Sequence, residues 1–175
     1  MSTQSFADLG VSPGVVDALA RKHITEPFAV QRLVIGDVLA GRDALVKSPT
    51  GSGKTLAFGI PITEQIEASD PRPAALILAP TRELTSQIVD EIRPLAQARA
   101  LRLCAVYGGV GLTKQARDAA RSHILVATPG RLQDLLERGV FTLDAIQILV
   151  LDEADRMLDM GFRPSVERIA ISAGE

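Results

Sequence analysis

From residue 44 onward the chain alternates two patterns. Short apolar runs at 44–46, 74–79, 101–107, 124–127 and 146–151 are continuous rather than every-second-residue, and the stretches between them carry helical periodicity or helix-start chemistry. A strand that is apolar on both faces is covered on both faces, which is the signature of a parallel sheet with helices packed on either side. The pattern predicts helices over 54–67, 82–98, 112–120 and 129–138. Before the first run, Ser12 and Pro13 supply cap and first-turn chemistry for a helix to about Arg21, with Val16, Leu19 and Ala20 on one face. Pro27 starts a second helix through Gln31, Leu33, Val34, Val38 and Leu39, which stops at Gly41. The class is α/β, and in such a sheet ligands gather at the carboxyl ends of the strands.

Two of those strand ends carry recognisable chemistry. After the 44–46 run comes Ser48-Pro49-Thr50-Gly51-Ser52-Gly53-Lys54-Thr55. A strand entering a glycine-rich turn and then Lys-Thr on a helix start is how a backbone cradles a polyphosphate. The glycines let successive N–H groups converge on the anion, and the helix N-terminus adds its dipole. Lys54 would reach the outer phosphates and the Thr55 hydroxyl would take Mg²⁺. Ser48 stands where the strict pattern has its first glycine, a mild departure between two small residues. The 146–151 run ends in Asp152-Glu153-Ala154-Asp155. A carboxylate there can hold Mg²⁺ through water, and its neighbour can polarise the water that attacks a γ-phosphate. An acidic helix start favoured by the dipole has the same letters; the phosphate loop a hundred or so residues upstream is what favours the catalytic reading.

Composition narrows the field. The chain has 175 residues, 46% hydrophobic and 23% charged, with a formal net charge of −2. That length suits one well-buried domain rather than two large ones, no run of some eighteen apolar residues is present, and the start has no basic-then-apolar leader. A cytoplasmic location is the default expectation. The single cysteine, Cys104, lies in an apolar run as a core residue, and His23 and His123 have no metal-ligand spacing around them. The charge balance excludes binding nucleic acid by bulk basicity, and with no Trp and one Tyr there is no row of aromatics to stack bases. Any nucleic acid would be held by its backbone.

Taken together, these residues resemble the DEAD-box RNA helicases. Asp152 to Asp155 spells the family's name. Pro80-Thr81-Arg82-Glu83-Leu84 with Gln87 resembles its motif Ia, Gly108-Gly109 its glycine doublet, and Thr128-Pro129-Gly130-Arg131 its motif Ib. Pro27 to Gln31, with Phe6 ahead of His23, resembles the adenine-recognising Q motif, and the 156–162 segment follows the acidic motif as in relatives. Singly, each has a plain alternative: Thr128-Pro129 suits any helix start, Gly108-Gly109 any turn, Phe6 any hydrophobic anchor.

The resemblance implies the first of two RecA-like domains, a P-loop NTPase fold with a Q-motif region at 1–41 and the ATP-binding body at 42–175. It implies ATP and Mg²⁺ as cofactors, with Phe6 stacked on adenine, Gln31 reading its edge, Thr50, Gly51, Ser52, Gly53, Lys54 and Thr55 on the phosphates, and Asp152 and Glu153 in catalysis. Pro80, Thr81, Arg82, Gly108, Gly109, Thr128, Pro129, Gly130 and Arg131 would grip RNA through its backbone. The family's Q motif commonly has Gly and Thr where this chain has His23 and Phe28, so one hydroxyl contact near the phosphate loop is lost and adenine selection is expected to be weaker.

The family's Ser-Ala-Thr motif III and the second RecA-like domain with its arginine finger do not occur in these residues; Ser172-Ala173-Gly174 is a chance echo on a helical stretch. The expectation is a fragment that binds nucleotide with negligible ATPase and no unwinding. The alternative is a nucleotide-dependent RNA-binding scaffold module, and a DNA helicase of the same superfamily is a third reading. Family analogy also places the motif III strand between the phosphate-loop strand and the Asp152 strand. The sheet is therefore expected to close by rearrangement, strand exchange or self-association, or else to be destabilised.

Overall fold

The computed structural model describes residues 3–47 and 53–174. In chain order the elements are α1 (Pro13–Arg21), α2 (Ala29–Leu39), α3 (Lys54–Gln65), β1 (Ala75–Leu78), α4 (Arg82–Ala98), β2 (Leu103–Val106), α5 (Leu112–Ala120), β3 (Ile124–Ala127), α6 (Pro129–Glu137), β4 (Ile148–Leu151), α7 (Ala154–Asp159) and α8 (Arg163–Gly174). They form two compact units. One comprises the chain to residue 67 with 91–100, the other residues 68–90 and 101 onward.

The first unit is helical. Phe6, Val11, Val15, Leu19, Ile35, Leu56, Ile60 and Leu95 make its core. Each such side chain contributes about 1.5–3 kcal/mol on full burial. Ser12 occupies the N-cap of α1 but makes no side-chain cap bond; its hydroxyl and its N–H both donate to Glu64, at 2.8 and 3.0 Å. Arg99 caps the same C-terminal end of α3, donating from Nε to the Thr63 carbonyl at 3.0 Å and from Nη2 to the Glu64 carbonyl at 3.3 Å. Those are last-turn carbonyls with no partner inside the helix.

The end of α1 explains one sequence departure. His23 N–H donates to Ala20 and Ile24 N–H to Leu19, at 2.9 and 3.0 Å. This pair of bonds requires a left-handed residue after the helix, and His23 has φ 62°.

The second unit is a parallel sheet in the order β2-β3-β1-β4. β1 and β3 are buried along their whole length, as continuous apolar runs require. Leu76, Leu78, Leu125, Ala127, Leu132, Leu135, Met157 and Ile169 anchor the core around it. Cys104, on edge strand β2, has its thiol pushed up to about 11, first by burial and then by the Asp118 carboxylate. It is a neutral core thiol at physiological pH. His123 is also structural: its Nδ1 accepts the Arg102 N–H at 2.9 Å and its Nε2 lies 3.0 Å from the Ala68 carbonyl. That fixes the Nε2–H tautomer, with both ring nitrogens engaged. No described helix is long and apolar enough to cross a membrane.

The expected strand at 44–46 is not one. Described residues 42–47 are irregular and Leu45 is fully exposed. Three apolar residues cannot hold an extended conformation without a ladder partner, and none pairs with them among the described residues. β4 pairs only with β1 there, and Leu151 at its end is 41% exposed. Among the described residues the sheet therefore has four strands, with β4 at one edge.

Replacing His23 by glycine removes the left-handed penalty, about 1–2 kcal/mol for an L-residue, partly offset by the freer unfolded chain. His23→Gly is expected to raise Tm by about 1–4 °C in a thermal melt. A lowered Tm would contradict the assignment of the helix end.

Candidate nucleotide and nucleic-acid sites

The register of the sheet assembles one face. Leu78 pairs with Ala127 and with Leu151, and Ala127 with Val106, so the last residues of all four strands lie at one level. The ladder then runs one step further: Ala79 N–H donates to Ala127 O, Thr128 N–H to Val106 O and Asp152 N–H to Leu78 O, at 3.0, 2.9 and 2.9 Å. The segments that follow, Pro80-Thr81-Arg82, Gly108-Gly109, Thr128 to Arg131 and Asp152-Glu153, therefore all leave the sheet at its carboxyl edge.

Along that edge the side chains divide. Thr81 caps α4, its Oγ1 accepting the Leu84 N–H at 3.2 Å, so its hydroxyl is already employed. Thr128 is the N-cap of α6 with Pro129 in the first turn, yet its side chain makes no cap bond; a plain helix start would have used it. Gly108 and Gly130 have open space where a Cβ would stand. Gly109 has φ +86°, and a Cβ there would lie 3.2 Å from Arg82 Nη1, so glycine both permits the turn and admits the arginine. The Arg82 guanidinium sits 4.7 Å from the centre of the Tyr107 ring, a cation–π contact of about 0.5–1 kcal/mol at an exposed site. Arg131 Nη1 donates to Val110 O at 3.2 Å and Gln115 Oε1 at 3.0 Å. Part of Arg131 is thus committed inward, contrary to a wholly free phosphate fork. Tyr107 and Gln115 were invisible to motif reading. The available signal for Tyr107 was an aromatic directly before a glycine doublet at a strand end.

Asp152 is 5% exposed, and its Oδ1 accepts the Glu153 N–H at 3.1 Å. Glu153 has φ 51° and ψ 50° at the start of α7, a left-handed conformation costing about 1–3 kcal/mol and found mostly where function holds it. Its Oε2 lies 3.3 Å from Arg156 Nη1 in a largely exposed pair, worth about 0–1 kcal/mol.

In the helical unit, Gly53 carries φ +81° immediately before α3, with Lys54 and Thr55 in the first turn. Thr50, Gly51 and Ser52, expected on the phosphates, lie outside the described residues, as do Ser48 and Pro49. Gln31 is 1% exposed. Its Oε1 accepts the Phe28 N–H at 2.9 Å, and its Nε2 donates to the Gly53 carbonyl at 3.1 Å. A primary amide has two donors and two acceptor sites, so one N–H and one lone pair remain beyond these bonds. A Cβ on Gly53 would collide with Gln31 Nε2 and lie 2.7 Å from Phe28 Cδ2. Phe28 thus packs its ring edge against the turn before α3. Phe6 is 2% exposed in the helical core. It serves there as an anchor, and stacking on adenine would need a ring face uncovered. Of the two residues expected to take magnesium, Thr55 in the helical unit offers a hydroxyl and Asp152 in the sheet unit a carboxylate, each an oxygen donor of the kind a hard, water-keeping cation accepts.

Gly53→Ala is expected to strain the left-handed turn by about 1–2 kcal/mol and displace Gln31. It should lower Tm and weaken binding of a fluorescent ATP analogue at least tenfold; unchanged values for both would contradict the packing described.

Residues 28–174 match the DEAD/DEAH box helicase family model. The chain is 46% identical over 170 residues to DEAD-box ATP-dependent RNA helicase 53 of Oryza sativa subsp. japonica, an alignment covering 93% of this chain and 28% of that protein. It is 43% identical over 165 residues to ATP-dependent RNA helicase DbpA of Bacillus subtilis, covering 94% and 34%. Among solved structures, a DEAD box protein from Methanococcus jannaschii superposes with a TM-score of 0.91 at 36% identity, over 97% of this chain and 47% of that one. The yeast DEAD-box splicing factor Prp28 superposes at 0.87 and 34% identity, over 97% and 42%. The chain therefore spans about a third of the length of these curated relatives. With the family model covering most of its length and the motifs in register along one sheet edge, this chain belongs to the DEAD/DEAH box helicase family.

Proposed function

We propose that this chain is the first, ATP-binding RecA-like domain of an ATP-dependent RNA helicase, and that by itself it binds ATP and RNA without unwinding. The observation that carries the reading is the alignment of the strand ends, which collects four family motifs at one edge. The printed names of the rice and Bacillus relatives, both ATP-dependent RNA helicases, support it.

In this reading Gln31 uses its remaining donor and acceptor on the adenine edge, which favours ATP over GTP. Phe6 joins as a stacking face only if its ring is uncovered. Thr50 to Thr55 cradle the phosphates, with Lys54 on the outer ones. Thr55 and Asp152 would hold Mg²⁺, which when bound neutralises charge developing on the phosphate oxygens. Glu153, fixed by its left-handed backbone, takes the proton from the attacking water. Pro80, Thr81, Arg82, Gly108, Gly109, Thr128, Pro129, Gly130 and Arg131 hold the RNA backbone. Such contacts position a strand without reading sequence. Partners are accordingly RNA and a second RecA-like domain; the outer edge of β4, unpaired among the described residues, supports pairing with a further strand, from the same protein or from another copy.

The resemblance assigns the arginine finger to the second domain, and such a finger is worth about 10³ to 10⁵ in rate. The isolated chain is therefore expected to bind nucleotide while turning ATP over about 10³-fold or more below a full-length relative, with saturating RNA present. Lys54→Ala should abolish nucleotide binding. In the full-length protein Glu153→Gln should retain binding and lose about 10²–10⁴ in RNA-stimulated kcat. Full-length turnover from the isolated chain, or an active Glu153→Gln, would refute these roles, whereas a full-length protein with no RNA-stimulated turnover would favour a scaffold.

A further inference from the structure

The glycine-doublet loop is gripped from both neighbouring motifs. At its start Arg82 lies over Tyr107 and against Gly109. At its end Arg131 donates to the Val110 carbonyl and to Gln115 Oε1. Gln115 is 7% exposed and sits in the first turn of α5, its N–H bonded to Gly111 O at 3.3 Å. One buried amide thus fastens the exit of the doublet loop to the arginine that begins the next helix, joining the loops after β2 and β3. The acceptor bonds use only Nη1 of Arg131, leaving its Nε and Nη2 donors uncommitted among the described residues.

We propose that Gln115 is a positioning residue for RNA: it orients Arg131 and locks the Gly108–Gly111 loop to the Thr128–Arg131 loop, so that both close on consecutive phosphates as one preformed unit. The inference rests on the RNA-binding reading of this edge. An arginine already held by a neutral amide keeps its charge and loses less rotamer freedom when a phosphate arrives. A carboxylate in the same place would hold it as firmly but neutralise it. This is the difference between positioning and simple structural support.

The test uses the chain itself, a fluorescein-labelled ten-nucleotide oligouridylate and anisotropy titrations from about 50 to 200 mM KCl, with thermal melts of each variant. Gln115→Glu is expected to keep Tm within a few degrees, weaken RNA about fivefold or more, and reduce the slope of log K against log salt by about 0.7, the share of one phosphate on a single strand. Gln115→Leu is expected to lose affinity by a similar factor with the slope retained, because Arg131 keeps its charge. Should Gln115→Leu fail to fold, the Gln115→Glu slope decides alone. Salt-dependent binding by the unmutated chain, with an unchanged slope in Gln115→Glu or a Gln115→Leu variant within twofold of it, overturns the inference and leaves the RNA reading standing. Salt-independent binding by the unmutated chain, with Arg82→Ala equal to it, overturns the RNA reading and the inference together.

Discussion

Everything at the functional edge depends on backbone hydrogen bonds that hold four parallel strands in one register. Because Leu78, Val106, Ala127 and Leu151 pair at a single level, four loops far apart in sequence leave the sheet side by side. A shift of one residue in any strand would turn its side chains to the opposite face. The cost of such a slip is high because β1 and β3 are buried on both faces. The apolar core around Leu76, Leu125 and Leu132 is therefore what fixes where Thr81, Gly109, Thr128 and Asp152 stand.

The edge itself works by a second economy. Most of its polar groups already serve the fold: Thr81 caps a helix, Arg131 ties two loops, and Asp152 accepts the N–H of Glu153. What remains for ligands includes the Nε and Nη2 donors of Arg131, uncommitted among the described residues, along with open backbone at Gly108 and Gly130. Gln31 follows the same logic in the helical unit, bonded to Phe28 and Gly53 with half of its amide capacity left over. Ligand binding on such a framework orders few new side chains, which keeps its entropic cost low.

Much of this was legible in the sequence because continuous apolar runs and helix-start residues are local signals. The bounds of α4 and α5 and the cores of β1 to β4 follow from them. The run at 44–46 failed because a strand is made by its neighbours, and three apolar residues carry no information about whether a partner strand exists. The letter of Phe6 suits a ring platform or an anchor, and its burial in one core with Val15, Leu19 and Ile35 is a property of packing that the letter does not carry. The Arg82–Tyr107 stack and the Arg131–Gln115 bond join residues from different loops, a relation that no spacing along the chain encodes. Glu153 illustrates the same limit from the other side: its letter marked the site, while its left-handed backbone appears only in three dimensions.

The central claim, that the carboxyl edge of this sheet holds an RNA backbone, is tested most directly by amide chemical-shift mapping of the ¹⁵N-labelled chain titrated with a ten-nucleotide RNA. The account predicts that the largest shifts fall on residues 80–82, 107–111 and 128–131, with the same pattern for oligouridylate and oligoadenylate. Shifts concentrated elsewhere, or a pattern that changes with base sequence, would contradict it.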